Sequence, residues 1–252
     1  MQPTQPNSPT LQPLVDKLDY RVELSADDRA ALLALPFTVR TMERAQFIVR
    51  ERELALHSCL MLSGYSIRSK TTESGDRQIV AIHMKGEVVD LQNSLLMVAD
   101  HSVQMLTPGQ VAMIPRQAVI QLTLDRPMIA HAMWIDTLVD GSIFREWITN
   151  VGRRDARTRI AHLLCEFAVR LRLAGLGDGT NYELPMTQEQ LADATGLTSV
   201  HVNRTIKMLE RERLIARPNP RSICIGDWRA LAIVGEFDTN YLHLRENEPA
   251  LQ

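Results

Sequence analysis

The 252-residue sequence predicts an α+β protein: an N-terminal antiparallel β-roll of jelly-roll type, a long helix, and a C-terminal winged helix-turn-helix domain. Three observations predict it. Short β-rich runs broken by turn residues fill the stretch from Phe37 to about Ile135. From about Asp136 the apolar residues recur at helical spacing instead. Residues 187–209, TQEQLADATGLTSVHVNRTIKML, then place a small residue, a glycine and an apolar residue where two short helices must cross closely.

Residues 1–24 open on Pro, Gln, Ser and Thr, which bury too little apolar surface to order a chain, so a disordered tail is expected. A short helix follows, with Ser25 as N-cap, Asp28 at the N3 position, an apolar face of Leu32, Leu33 and Leu35, and Pro36 as a stop. The β-roll, residues 25–135 including that helix, is carried by QFIVRE, SCLMLSGYSIRSKT, DRQIVAIHM, SVQMLT, QVAMIP and IAHAMWI. Glu73–Asp76 suits a hairpin turn, with Gly75 taking positive φ, and Pro108-Gly109 marks a second turn.

Residues 136–153 are expected to form a helix whose stripe of Ile143, Trp147 and Val151 packs on a second copy of the chain, the alternative being the β-roll. Ile160, Leu163, Leu164, Phe167 and Leu171 make a separate stripe, with Gly152 and Asp155 as a hinge between the two. The loop composition of residues 175–185 leads into the helix-turn-helix at about 188–207, inside a domain spanning 154–229. Thr187 and Gln190 fit a capping box, Gly196 suits the turn, and Thr198 caps the second helix, which buries Val202, Ile206 and Leu209. Two β runs around Pro218-Asn219-Pro220, with Arg217 and Arg221, complete a wing, and residues 230–252 form a C-terminal extension.

Charge supports a polyanion-binding C-terminal third: residues 1–152 carry 14 Lys and Arg against 17 Asp and Glu, whereas 153–229 carry 13 against 9. On the second helix Ser199, Val200, Asn203, Arg204 and Lys207 point away from the core, with His201 at the flank. Arginine reads guanine through O6 and N7, asparagine reads adenine through N6 and N7, and valine meets a thymine methyl. Thr187, Gln188, Thr198, His201, Lys207 and Arg221 are placed to grip phosphate. Double-stranded DNA is the expected partner.

The start of the chain offers neither a basic n-region nor an apolar h-region, and no run of 18 apolar residues occurs, so a cytoplasmic protein without a membrane partner is expected. Cys59, Cys165 and Cys224 are scattered without a C-x-x-C pair and read as reduced thiols. His57, His83, His101 and His131 read as satisfied or exposed histidines. No metal site is expected. An enzyme of cupin-like, metal-dependent type, or a small-molecule-binding protein built on the β-roll, is the alternative reading. It rests on His83-x-x-x-Glu87 alone, without the His-x-His such a site requires.

The C-terminal 75 or so residues resemble the winged helix-turn-helix of the Crp/Fnr superfamily of bacterial transcription regulators. LSGYSIRSKTTESGDRQIVAIHMKGEVVDL is similar to the same family's sensor domain: a glycine-aromatic strand, a hairpin glycine, Arg-Gln-Ile, then Gly-Glu. The resemblance implies a non-enzymatic regulator that binds a palindromic operator as a homodimer through the helix at 136–153, with RNA polymerase as a further partner. It gives base-reading roles to Ser199, Val200 and Arg204. Its effector pocket maps onto Gly86, Glu87, His101 and Ser102. Relatives that bind cyclic nucleotides have arginine where His101 stands, and losing that phosphate clamp argues against cyclic AMP. The cysteine pattern of the iron-sulfur members is absent, so no cofactor is assigned.

Overall fold

The computed structural model describes residues 9–245. In chain order the elements are α1 (Gln12–Arg21), α2 (Ala26–Leu33), β1 (Thr38–Met42), β2 (Phe47–Val49), β3 (His57–Met61), β4 (Ser66–Thr71), β5 (Arg77–His83), β6 (Ser102–Met105), β7 (Gly109–Pro115), α3 (Arg116–Asp125) and α4 (Pro127–Arg153). They continue with α5 (Ala156–Leu173), β8 (Asn181–Glu183), α6 (Gln188–Thr195), α7 (Ser199–Arg211), β9 (Ile215–Ala216), β10 (Ser222–Ile225) and α8 (Trp228–Val234). Two compact units result, one from residues up to 66 with 83–137, the other from 67–82 with the chain from 138 onward.

In the first unit β1 and β3 flank β7, both antiparallel, and β2 pairs antiparallel with β6. Successive side chains on a strand face opposite ways. Cys59, Met61, Val111 and Met113 therefore fill the roll interior with Met42, Val103 and Met105. Leu60, Ala112 and Ile114 face outward, where α1, α2, α3 and the start of α4 cover them.

Three expectations change here. The tail is not disordered throughout: Leu11, Leu14, Val15 and Leu18 recur at helical spacing and are buried, and Pro13 lies in the first turn of α1, where a missing N–H costs nothing. The part of that tail before residue 9 lies outside the described residues. In α2 the Ser25 cap is present, its hydroxyl accepting from the Asp28 N–H at 3.1 Å, but Leu33 faces solvent while Leu32 and Leu35 are buried. IAHAMWI is helix and not strand, because Ile129, Ala132 and Met133 are the buried positions, a helical rather than an alternating pattern. The long helix accordingly begins at Pro127, nine residues earlier than expected, with proline at its favoured first position.

In the second unit, β4 and β5 form a hairpin whose turn has Gly75 at φ 92°, as expected. The buried stripe of α5 includes Ile160, Leu163, Leu164, Phe167 and Leu171. Asp155 caps α5, accepting from the Thr158 N–H at 2.9 Å. The loop predicted over 175–185 contains a strand: β8 joins β10 and β9 in a three-stranded wing, order β8-β10-β9. Cys59 and Cys165 are buried free thiols and Cys224 is half-buried. Among the described residues no helix is long and apolar enough to cross a membrane.

Two members of the stripe assigned to a partner make contacts within their own chain. Trp147 is buried within its own chain, its indole N–H lying 3.0 Å from each carboxylate oxygen of Glu166 on α5, and Val151 abuts Gly196. Strict four-residue spacing drifts around a helix, so Trp147 meets α5 while Val151 meets the turn after α6.

Glu166, 1% exposed, is the centre of a buried polar network. It also accepts from Arg170 Nη1 at 3.1 Å and from the Tyr241 hydroxyl at 2.9 Å. Tyr241 stacks on His162, whose Nδ1 donates to the Gly235 carbonyl at 3.0 Å, and Phe237 meets the same imidazole edge-on. His243 Nε2 lies 3.3 Å from Ser142 Oγ on α4. The segment following α8 thus packs into the core of the domain.

Burial holds the His162 imidazole below its usual value, with the Glu166 carboxylate pulling the other way and Arg154 adding to the depression. An unfolded histidine takes up a proton near pH 6.5. The folded one resists it, so stability present above pH 6.5 falls as pH drops from there toward the lower folded pKa. Thermal unfolding from pH 8 to pH 5 is expected to show this decline, and His162→Gln to flatten it.

Candidate nucleic-acid interface

The recognition element is built from local rules. Thr187 Oγ1 accepts from the Gln190 N–H at 3.2 Å while Gln190 Oε1 accepts from the Thr187 N–H at 2.9 Å, a complete capping box. Gly196 ends α6 in the left-handed region, φ 64°, and sits so close to α4 that an added Cβ would lie 3.0 Å from Val151 Cγ1. Thr198 caps α7 by accepting from the His201 N–H. Leu191, Ala192, Ala194 and Thr195 from α6 and Val202, Thr205, Ile206 and Leu209 from α7 are buried. Thr195 stands where an apolar residue is usual, and its hydroxyl donates to the Leu191 carbonyl at 2.7 Å, so its polarity is satisfied inside the helix.

The opposite face of α7 is open. Ser199, Val200, His201, Arg204 and Lys207 are exposed, and Gln188, Ser199, Val200, Asn203, Arg204 and Lys207 line one shallow surface depression. Val200 is 78% exposed, an apolar side chain left in water amid donors, which no packing need within the chain explains. Asn203 is half-buried and donates to Gln188 Oε1 at 3.3 Å, so those two side chains present themselves as a unit. His201 Nδ1 lies 3.2 Å from Thr198 Oγ1.

In the wing, Asn219 Oδ1 accepts from the N–H groups of Arg221 and Ser222 at 3.0 and 2.9 Å, fixing the tip between β9 and β10. Arg221 is exposed there, while Arg217 turns back to the Pro220 carbonyl. In the turn before β8, Asp178 accepts from the N–H groups of Asn181 and Thr180, which hold its carboxyl down at about 2.

Two family models match in order: the cyclic nucleotide-binding domain over residues 39–126 and the Crp-like helix-turn-helix domain over 158–233. The chain belongs to the Crp/Fnr family of DNA-binding transcription regulators. Among Crp/Fnr relatives, the transcriptional activator protein FnrL of Cereibacter sphaeroides is 28% identical over 174 residues, 68% of this chain and 69% of its own length. The nitrogen fixation regulation protein FixK of Azorhizobium caulinodans is 24% identical, covering 80% of this chain and 81% of its own. The structure of FixK2 from Bradyrhizobium japonicum shares the fold, with a TM-score of 0.74 at 22% identity over 79% of this chain and 98% of that one.

Of the four positions expected to line an effector pocket, Glu87, His101 and Ser102 have side chains that are already hydrogen-bonded. Gly86 has φ 89°, and Glu87 Oε2 lies 3.0 Å from His83 Nδ1. His101 is buried, with Nδ1 2.5 Å from Asp100 Oδ1 and Nε2 3.2 Å from the Gln92 amide nitrogen. That arrangement suits a ring donating at Nδ1 and accepting at Nε2, with neither nitrogen offering a phosphate the fork of an arginine. Ser102 Oγ accepts from the Glu51 N–H at 3.1 Å. His83 and Glu87, the pair behind the cupin-like alternative, bond to each other, and among the described residues no group of three His, Cys, Asp or Glu could hold a metal ion.

Sequence reasoning missed the residues that hold this motif in place. Arg159 Nη1 donates to the Thr195 carbonyl at 2.9 Å and its Nε to the Arg154 carbonyl at 2.7 Å, joining the helix-turn-helix to the end of α4. Asn150 donates to the Arg159 carbonyl at 3.3 Å. An arginine in the first turn of a helix carries no local mark of such a task.

Proposed function

We propose that this protein regulates transcription as a homodimer that reads a palindromic site, one α7 per half-site, in response to a signal other than a cyclic nucleotide taken up by the β-roll. The observation that carries the reading is the face of α7: a helix capped at both ends, seated by Val202, Ile206 and Leu209, presents Ser199, Val200, Arg204 and Lys207 outward. Arg204 has the fork for guanine and Val200 the surface for a thymine methyl. The flanking Thr187, Gln188, Thr198, His201 and Arg221 suit phosphate. Half-sites read by symmetric copies lie about one DNA turn apart, roughly 34 Å. The relatives' names, transcriptional activator and nitrogen fixation regulator, support a regulatory role, and RNA polymerase is the further partner that activation requires. These relationships favour the regulator over a cupin-like enzyme.

The homodimer reading rests on α4. Trp134, Leu138 and Ile148 are 66%, 56% and 72% exposed. With Gly141, Arg145 and Gly152 they recur at alternating spacings of four and three, the repeat by which two helices wrap around each other. The small residues allow close approach and the large ones supply apolar area. Replacing both Leu138 and Ile148 by aspartate is expected to yield a monomer in sedimentation at micromolar concentration; a persisting dimer would refute this seam.

Selection of binding sites from random DNA by the full chain, with and without a metabolite extract, tests the whole reading. An enriched inverted repeat is the expected result. No enrichment under either condition would sink it.

A further inference from the structure

The β4–β5 hairpin lies by sequence inside the region matched by the cyclic nucleotide-binding family, yet its residues 67–82 fold with the C-terminal unit. Three arginines fasten it there. Arg68 Nη1 bonds Asp140 of α4 at 3.0 Å, and its guanidinium lies over the Phe144 ring. Arg170 of α5 donates to the Ile82 carbonyl at 2.5 Å. Arg77 reaches the helix-turn-helix itself: its Nε and one terminal nitrogen donate to a single carboxylate oxygen of Asp193 on α6 at 2.8 and 2.7 Å. Both side chains of this last pair are largely shielded, at 29% and 21% exposure, so the geometry is held more firmly than in an open surface pair.

Asp193 lies two residues before Thr195, whose carbonyl Arg159 grips, and three before Gly196, which rests on Val151. The end of α6 is therefore held from one side by the α4–α5 joint and from another by the hairpin. Since α7 packs on α6 through buried apolar residues, whatever fixes α6 fixes the presentation of the reading face.

We propose that Arg77 is a positioning residue for DNA recognition: through Asp193 the hairpin sets the pose of α6 and α7, giving the β-roll sequence a route to the helix-turn-helix that does not pass along α4. This rests on the DNA-binding reading above. A purely electrostatic role makes the opposite prediction for one variant. If Arg77 only neutralised an acidic group near phosphate, Asp193→Ala would strengthen DNA binding while Arg77→Ala weakened it. A positioning pair loses function from either side, and interacting residues are not additive.

The test is fluorescence anisotropy with the full chain, on the sequence the wild type selects and on a scrambled duplex of the same length. Arg77→Ala and Asp193→Ala are each expected to weaken binding to the selected sequence by about fivefold or more, the lower end of typical coupling between sites. The double alanine variant should be no worse than either single one, binding to the scrambled duplex should change less, and the exchange Arg77→Asp with Asp193→Arg should restore selectivity. Opposite effects of the two single variants, additive losses, or unchanged affinity would overturn the proposal. If the wild type selects no sequence at all, it is the DNA-recognition reading that fails, and this proposal with it.

Discussion

Glu166→Ala should destabilise the C-terminal domain by about 3–5 kcal/mol, the range expected when one member of a buried charge network is removed. Glu166 is 1% exposed and serves three donors: the Trp147 indole, the Arg170 guanidinium and the Tyr241 hydroxyl. Deleting the carboxylate leaves all three without that acceptor in a region closed to water, and each loss carries its own desolvation cost. Thermal or urea unfolding followed by circular dichroism measures the change, with a drop in Tm on the order of 10 °C or more. Glu166→Gln keeps an oxygen for one donor and should lie between the wild type and alanine. A loss below about 1 kcal/mol would show that the network is relaxed or hydrated.

Arg204→Ala should remove about 1–3 kcal/mol of specific DNA binding per half-site and relax the base preference at one position. The side chain is exposed on the open face of α7 beside Val200, so its deletion leaves the fold intact. Lys207→Ala provides the contrast, weakening all duplexes alike and lowering the salt dependence by the equivalent of about one phosphate contact. Repeating the site selection with each variant separates them. Unchanged base preference in Arg204→Ala would remove that arginine from the readers.

The parts of this protein that local chemistry dictates were legible in its sequence. Ser25, Asp155, Thr187 and Thr198 announce helix starts because a short oxygen-bearing side chain satisfies orphan N–H groups within three residues. Gly75 and Gly196 announce turns because positive φ is strained for other residues. The β-rich runs that become β3 and β7 were equally readable. What failed involved choices made by distant contacts. IAHAMWI has the apolar density of a strand and becomes helix because Ile129, Ala132 and Met133 have an outer sheet face to cover. Leu11 to Leu18 reads as part of a polar tail until that same face is known to need a lid. Trp147 was expected to pack on a second copy or on the β-roll, because nothing near it in sequence reveals Glu166 as the group that receives the indole. Arg77 and Asp193, 116 residues apart, leave no trace in either neighbourhood.

The chain after α8 bears on where this domain ends. The match to the Crp-like helix-turn-helix domain ends at residue 233, yet Gly235, Phe237 and Tyr241 complete the packing around His162, and an added Cβ on Gly235 would come within 2.7 Å of the His162 backbone nitrogen. The matched stretch and the stretch that packs as one unit therefore have different ends. Swapping this reading head onto another regulator at the shared boundary would strand a half-built core, whereas a junction after His243 would carry the complete unit. Residues 234–243 therefore belong to the structural unit built on α4 and α5, whose side chains they satisfy.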